Sequence, residues 1–425
     1  MATPSRDKLG RPIVAVTGIG VVTSLGVGKS ENWAKLAGGV SGIKRISRFP
    51  TEALRTTIAG AVNDVYRDSM PPAELSERVA MLVAEEAIAE AGIGSKGRFP
   101  GPLYLAPPPL EIEWRDRIEM AELAASNADT GYPDLMRVAN DFAARNGAFK
   151  FGIIGEHLAE HFGTEGSPVS LNTACASGAS AIQLGMEAIR RGECEAALAI
   201  GADASLTPES LVRFSLLSAL STQNDPPERA SKPFSKNRDG FVLAEGAAAL
   251  VLENYDHARA RGARILGILE GVGEKSDSFH RTRSSPDGKP IIACMRNALA
   301  DAGVAPEDID YINAHGTSTP ENDKMEHLGV STVFGERIRG IPISSNKSMI
   351  GHTLTAAGVV EAAFTFLTLH NQRLPPTINH QIPDPAIALD VVPNVARDAK
   401  VNRAISNSFG FGGQNVCLVM ALEPA

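Results

Sequence analysis

An α/β protein built as two similar layered halves is the fold class this sequence predicts, and three observations carry it. β-like apolar runs alternate with runs of helical periodicity along all 425 residues, the pattern of stacked sheet and helix layers. A strand, a tight turn and a helix rich in small residues over 169–190 recur in the same layout over 341–369. Forty glycines beside only 5% aromatic residues suit close backbone packing instead of large side chains.

Read in order, Ile13–Thr17 is the first strand and Ser76–Ala91 has helical periodicity. Ala196–Ile200 is a short buried strand ending at Gly201, and Phe241–Leu252 reads as a strand pair interrupted by small residues. A basic helical stretch, Asp256–Arg264, precedes a new strand set that opens at Ile265–Gly271. In the second half, Ile341–Ile343 is the strand of the repeated layout and Gly351–Leu369 its helix. The halves therefore span 12–260 and 261–422, meeting near Arg261 with their two helix starts close together. Gly101–Ala148 breaks the pattern. It carries Pro107, Pro108 and Pro109, then the charged run Glu111–Glu119, and reads as an insertion or cap on the first half.

Hydrophobic residues make up 43% of the chain, enough for a large core, and the formal charge of −8 argues against nucleic acid as a partner. Cys175, Cys194, Cys294 and Cys417 form no C-x-x-C pair. They give neither a zinc motif nor a disulfide framework, so a reducing compartment and packing roles for the last three are expected. No apolar run approaches the roughly 18–20 residues of a membrane helix. Met1–Arg11 also lacks the apolar core of a signal peptide, and a cytoplasmic protein is expected. Two segments imitate nucleotide loops. Thr23–Ser30 has threonine where a phosphate loop begins with glycine, and after Gly18 and Gly20 the third fingerprint position is again Thr23. Neither is a nucleotide site.

The strongest chemical signal is Asn172–Ala181. Cys175 follows a β-like run and precedes the small residues Ala176–Ala181, after which Ile182, Gly185, Met186 and Ile189 fall near one helical face. A thiol is thereby set at a helix mouth, where free backbone N–H groups and the positive dipole end favour thiolate. The small neighbours let another backbone, or a bulky thioester, come close. Cys175 is the candidate nucleophile.

Four further segments concentrate polar chemistry at element boundaries. They are Asn313–Pro320 with His315, Ser344–His352 with Lys347, Asn407–Asn415 with its glycine turn, and Asp277–Thr282 with His280. The order cysteine, histidine, asparagine also fits a papain-like protease. That reading gives no role to Lys347 or to Gly410–Gly413, whereas two histidines beside one thiol suit polarising a carbonyl twice, in acyl transfer and in carbon–carbon bond formation.

The segments TACASGASA, AHGTSTP, NKSMIGH and NSFGFGGQN, with SKPFSKNRDGFVLAEGAAALVL at Ser231–Leu252, resemble the signature set of the β-ketoacyl-acyl carrier protein synthases, most closely the type II elongating enzymes of the thiolase fold. The resemblance covers most of Val14–Met420. It implies two βαβαβαββ halves in an αβαβα layering, a homodimer, and a decarboxylative Claisen condensation that needs no cofactor. It implies that Cys175 takes an acyl group from a carrier thioester and that His315 and His352 stabilise the enolate of malonyl-acyl carrier protein. The N–H groups of Cys175 and Phe411 would form the oxyanion hole, and Phe411, flanked by Gly410 and Gly412, would be a gate. Lys347 would act electrostatically, holding the site's hydrogen bonds and, through Glu326, an ion-pair network, while Thr317, Thr319 and Thr282 would bind the pantetheine arm. A monovalent cation near Asn313, Glu361, Ser406 and Asn407 is also implied. A thiolase, the related alternative, would need a second cysteine in the glycine turn, and Cys417 lies beyond it.

Two departures stand out. Leu105–Leu110 and the charged run replace a glycine-rich turn that lines the acyl pocket in this family, so a longer or modified chain is expected. Ser218 precedes Ala219–Thr222 where relatives carry a basic residue for the acidic carrier, and Arg213 or Arg229 is expected to compensate.

Overall fold

The computed structural model describes residues 6–67, 70–95, 97–109, 114–125, 136–140 and 150–424. Its first half runs β1 (Val14–Thr23), α1 (Pro72–Ala91), β2 (Leu103–Ala106), α2 (Ile153–Phe162), β3 (Val169–Ser170), α3 (Ser177–Arg190), β4 (Ala196–Asp203) and β5 (Gly246–Asn254). The second repeats it: β6 (Gly267–Ser276), α4 (Lys289–Ala302), β7 (Tyr311–Asn313), α5 (Pro320–Phe334), β8 (Ile343–Ser344), α6 (Ala357–Asn371), β9 (Arg403–Phe409) and β10 (Gln414–Ala421). Strand order is β8-β7-β9-β10-β6-β1-β5-β4-β2-β3. The two half-sheets join where Val14–Val16 pairs antiparallel with Gly267–Leu269. On both sides of this seam the outer strands are parallel and the inner ones antiparallel.

Buried on both faces, β4 and β5 read as unbroken apolar runs, as strands between helix layers must. α1 covers one outer face through Val79, Val83 and Ala87, and α4 covers the other through Ile291, Met295 and Ala298. Between the half-sheets lie α3 and α6, whose Ile182, Met186, Val360 and Phe364 share the central core. The result is the thiolase-like αβαβα layering.

Several boundaries differ from the sequence reading. Phe241–Ala244 is no strand; it makes single bridges to Leu220, His352 and Gly60, and one continuous strand begins at Gly246. The expected helix Gly351–Leu369 starts only at Ala357, because Gly351 and Leu354 hold positive φ and hydrogen-bond the chain into turns. The basic helix is confined to Tyr255–Ala260. Leu103–Ala106 is an interior strand paired with β4, so the excursion expected from Gly101 begins only after it. Of that excursion, 110–113, 126–135 and 141–149 lie outside the described residues. Its helix Trp114–Ala125 buries Met120 and Ala124 against Val138.

The small residues after Cys175 have a packing cause. A Cβ on Gly178 would come within 2.6 Å of the Val359 nitrogen, and one on Gly358 within 2.3 Å of the Ala179 nitrogen. The two central helices touch backbone to backbone at their first turns. Gly358→Ala is expected to destabilise the protein by about 1–3 kcal/mol through overpacking. Gly340→Ala, where an added Cβ meets nothing within 4 Å, should leave the denaturant midpoint close to wild type. Equilibrium denaturation of both variants checks this.

Candidate active site

Because the first turns of α3 and α6 abut, the segments that feed them converge. Cys175 sits in a 3-10 turn, Ala174–Ala176, closed by the Ser177 hydroxyl donating to the Ala174 carbonyl at 2.6 Å. His352 lies in the turn before α6, where its N–H donates to the Val242 carbonyl at 2.8 Å and its own carbonyl accepts from Ala244 at 3.0 Å. Its Nε2 is 3.2 Å from the Cys175 sulfur. His315 follows β7, and the two imidazole centroids are 5.4 Å apart, nearly perpendicular. Cys175, His315, His352, Thr317, Thr319, Thr282, Phe409, Gly410 and Phe411 line one cavity of about 450 Å³.

The hydrogen bonds fix which imidazole nitrogen carries the proton. Lys347 Nζ lies 3.4 Å from His315 Nδ1 and donates to the His315 carbonyl at 2.7 Å. The Leu354 N–H approaches His352 Nδ1 at 3.3 Å. A nitrogen that accepts a hydrogen bond bears no proton in the neutral ring, so each imidazole presents Nε2–H. Both rings are neutral: burial, reinforced by the charge of Lys347, holds each well below the ordinary histidine range. They are paired hydrogen-bond donors aimed at the thiol's side of the cavity.

The thiol itself departs from the sequence expectation. Burial pushes Cys175 up to about 11, outweighing the Phe411 N–H directed at its sulfur and the charge of Lys347. The helix mouth does not make a resting thiolate here, because the sulfur is buried.

Lys347 stands behind the histidines, 1% exposed and outside the cavity lining. Its ion-pair partner is Glu361 of α6, which corrects the expected pairing with Glu326. Glu326 instead accepts the His315 N–H at 2.9 Å, the Gly316 N–H at 2.7 Å and the Asn407 amide at 3.1 Å. Reaching from α5, it clamps the loop that carries His315. Burial raises the carboxyls of both Glu326 and Glu361 to about 7.

The glycine turn closes the other wall. Phe411 is half-buried and packs with Phe214 and Phe241, while Phe409 sets an edge against His315 at 5.7 Å. Gly412 does not line the cavity; with φ 90° it turns the chain so that its N–H donates to the Arg281 carbonyl at 2.7 Å. Asp277 holds the facing loop through the Phe279 and Ser285 N–H groups, and its own N–H donates to the Gly413 carbonyl at 2.7 Å. Arg229, one of two arginines expected to steer a carrier, lines a separate cleft with Lys232 and Asn379. Arg281 and Arg283 line the cavity instead. Sequence reasoning also missed Phe241, edge-on to His352 at 5.3 Å, and Asp203, whose only trace is an acid ending an otherwise apolar strand. Cys294 and Cys417 are buried as expected, and Cys194 is only half-buried.

The chain belongs to the β-ketoacyl synthase family. Residues 12–98 and 119–258 match the family described as beta-ketoacyl synthase, N-terminal domain, and 266–381 match its C-terminal domain. It is 36% identical to a 3-oxoacyl-[acyl-carrier-protein] synthase 2 of Coxiella burnetii, covering 96% of this chain and 98% of that protein. It is also 36% identical to a putative polyketide beta-ketoacyl synthase 1 of Streptomyces cyaneus, covering 94% and 96%. Among solved structures it resembles a type II polyketide complex of a ketosynthase and its acyl-carrier protein, with a TM-score of 0.84, 34% identity and coverage of 97% and 99%.

Alkylation of Cys175 by iodoacetamide, followed by mass spectrometry, should accelerate about tenfold per pH unit between pH 7 and 9, because only the thiolate reacts. Glu361→Ala strands the buried Lys347 charge and is expected to lower stability by about 3–5 kcal/mol in equilibrium denaturation.

Proposed function

We propose that this β-ketoacyl synthase elongates acyl chains held on an acyl carrier protein, using malonyl-acyl carrier protein as the extender in fatty-acid synthesis. The observation that carries the reading is that Cys175 and two neutral imidazoles, His315 and His352, line one cavity, with His352 Nε2 3.2 Å from the sulfur. In the first step the Cys175 sulfur, losing its proton, attacks the acyl thioester carbonyl. The oxyanion that forms is held by the Phe411 and Cys175 N–H groups; as it collapses, the bond to the carrier sulfur breaks and that sulfur leaves as a thiol, taking up the proton that Cys175 lost. In the second step malonyl thioester loses carbon dioxide, and the freed electron pair becomes an enolate whose oxygen is stabilised by His315 and His352. The enolate carbon then attacks the acyl–Cys175 carbonyl, expelling the sulfur and giving a 3-oxoacyl thioester. Neutral donors suit this chemistry, since an enolate is stabilised by hydrogen bonds that do not surrender the proton. No cofactor enters either step.

Phe214, Leu217, Ala219, Phe241, Leu354 and Phe411 give the thiol end of the cavity an apolar lining suited to a saturated chain. The altered segment after β2, where 99–118 fall outside the family match, supports a long or specialised chain. A poly-β-keto chain is the second reading, favoured by the similarity to polyketide ketosynthases. A homodimer is proposed from the resemblance.

The monovalent cation implied by the resemblance fits the residues present. Asn313 Oδ1, Ser406 Oγ, Asn407 Oδ1 and Glu361 Oε2 are buried oxygens without hydrogen-bond partners, and Asn313 and Ser406 are register partners on adjacent strands. The side chains of Asn313, Ser406 and Glu361 would hold a cation, which would offset the Glu361 charge; the Asn407 side chain, on the opposite face of β9, donates to Glu326.

Incubation with acyl-carriers of graded length and with a diketide-carrier, read as mass added at Cys175, tests the function. Saturated acyl adducts followed by malonyl-dependent release are expected, with none in Cys175→Ala; exclusive loading by the diketide would favour the polyketide reading. Arg281→Glu with Arg283→Glu should raise KM for acyl-carrier severalfold in steady-state assays while leaving acyl-pantetheine turnover unchanged.

A further inference from the structure

The duplicated architecture repeats the nucleophile's turn, and its second copy has no assigned task. Ala174–Ala176 and Leu354–Ala356 are both single 3-10 turns that lead into a central helix, and each begins in the left-handed region, φ 51° at Ala174 and 47° at Leu354. Thr355 therefore stands in the second half where Cys175 stands in the first. It does not line the cavity. Its hydroxyl donates to Asp203 Oδ2 at 2.8 Å, and its N–H approaches the same oxygen at 3.3 Å. Asp203 ends β4 of the first half, is 1% exposed, and through Oδ1 accepts the Ser205 hydroxyl at 2.5 Å and the Ser205 N–H at 3.2 Å. A buried carboxylate of one half thus pins the turn of the other.

That turn governs His352. The Leu354 N–H that reaches back to His352 Nδ1 comes from a leucine in left-handed conformation, which L side chains adopt only when their surroundings impose it. Thr355, the next residue, supplies the restraint. We propose that Asp203 and Thr355 are positioning residues that lock His352 in its Nε2–H tautomer, so that the second copy of the nucleophile turn serves as a tautomer lock for the first. If Leu354 relaxed, Nδ1 would be free to take the proton, and Nε2 would turn a lone pair toward the sulfur and the forming oxyanion. The inference rests on reading His352 as a donor in the condensation.

Histidine ¹⁵N NMR of the full chain, without substrate, reads the tautomer directly. Wild-type His352 should show a single Nε2–H form. Thr355→Val keeps the shape and removes the hydroxyl donor. It is expected to mix or invert the His352 tautomer while His315, held by Lys347, is unchanged, and to lower kcat about ten- to hundredfold with KM within about twofold. Asp203→Asn should act in the same direction, and Thr355→Ser should restore both readouts. A pure Nε2–H form at His352 in Thr355→Val and Asp203→Asn overturns the lock even if turnover falls. Because the tautomer is read without substrate, failure of the lock is distinct from failure of the condensation reading, which wild-type turnover reports.

Discussion

The close approach of α3 and α6 at Gly178 and Gly358 is the constraint on which the rest of the molecule depends. Two helices from different halves meet at their first turns with no side chain between them, so the residues just before each helix are brought together. Cys175 and His352, 177 positions apart in the chain, are left 3.2 Å apart as a consequence. A methyl group at either glycine would collide with backbone, which cannot swing aside as a flexible side chain can. The layered sheets serve this contact by holding the helices in place from both sides.

Around that meeting point the protein arranges its charges behind the cavity wall. Lys347, Glu361, Glu326 and Asp203 are all buried, and none lines the cavity. Each acts on a group that does, or on the loop that carries it. Lys347 orients His315, Glu326 clamps its loop, and Asp203 pins the turn after His352. The two donors beside Cys175, His315 and His352, are therefore neutral, as stabilising an enolate by hydrogen bonds requires. Burial also has a cost, since it suppresses the resting thiolate.

Much of this was legible in order along the chain. The small residues after Cys175, the paired histidine segments and the glycine turn each have compositions that few structural roles demand together, and the alternation of apolar and helical runs exposed the layering. Boundaries were less legible. Phe241–Ala244 has strand composition, yet three separate neighbours take its bridges, so no ladder forms. Gly351–Ala356 has helical periodicity, yet the chain must turn there to present His352. The pairing of Lys347 with Glu361 was not legible, because ion-pair partners depend on which helix face meets which loop.

By itself the sequence determined the layered α/β class and the family, and it singled out the candidate nucleophile Cys175 and the candidate donors His315 and His352. Those follow from local chemistry, where residue type and spacing are the cause. Only the tertiary structure decided the protonation of Cys175, the hydrogen bonds that set the tautomers of His315 and His352, the partner of Lys347 and the contact between Asp203 and Thr355. Each of these depends on burial or on a hydrogen bond between residues distant in the chain, and neither is fixed until both halves have closed around α3 and α6.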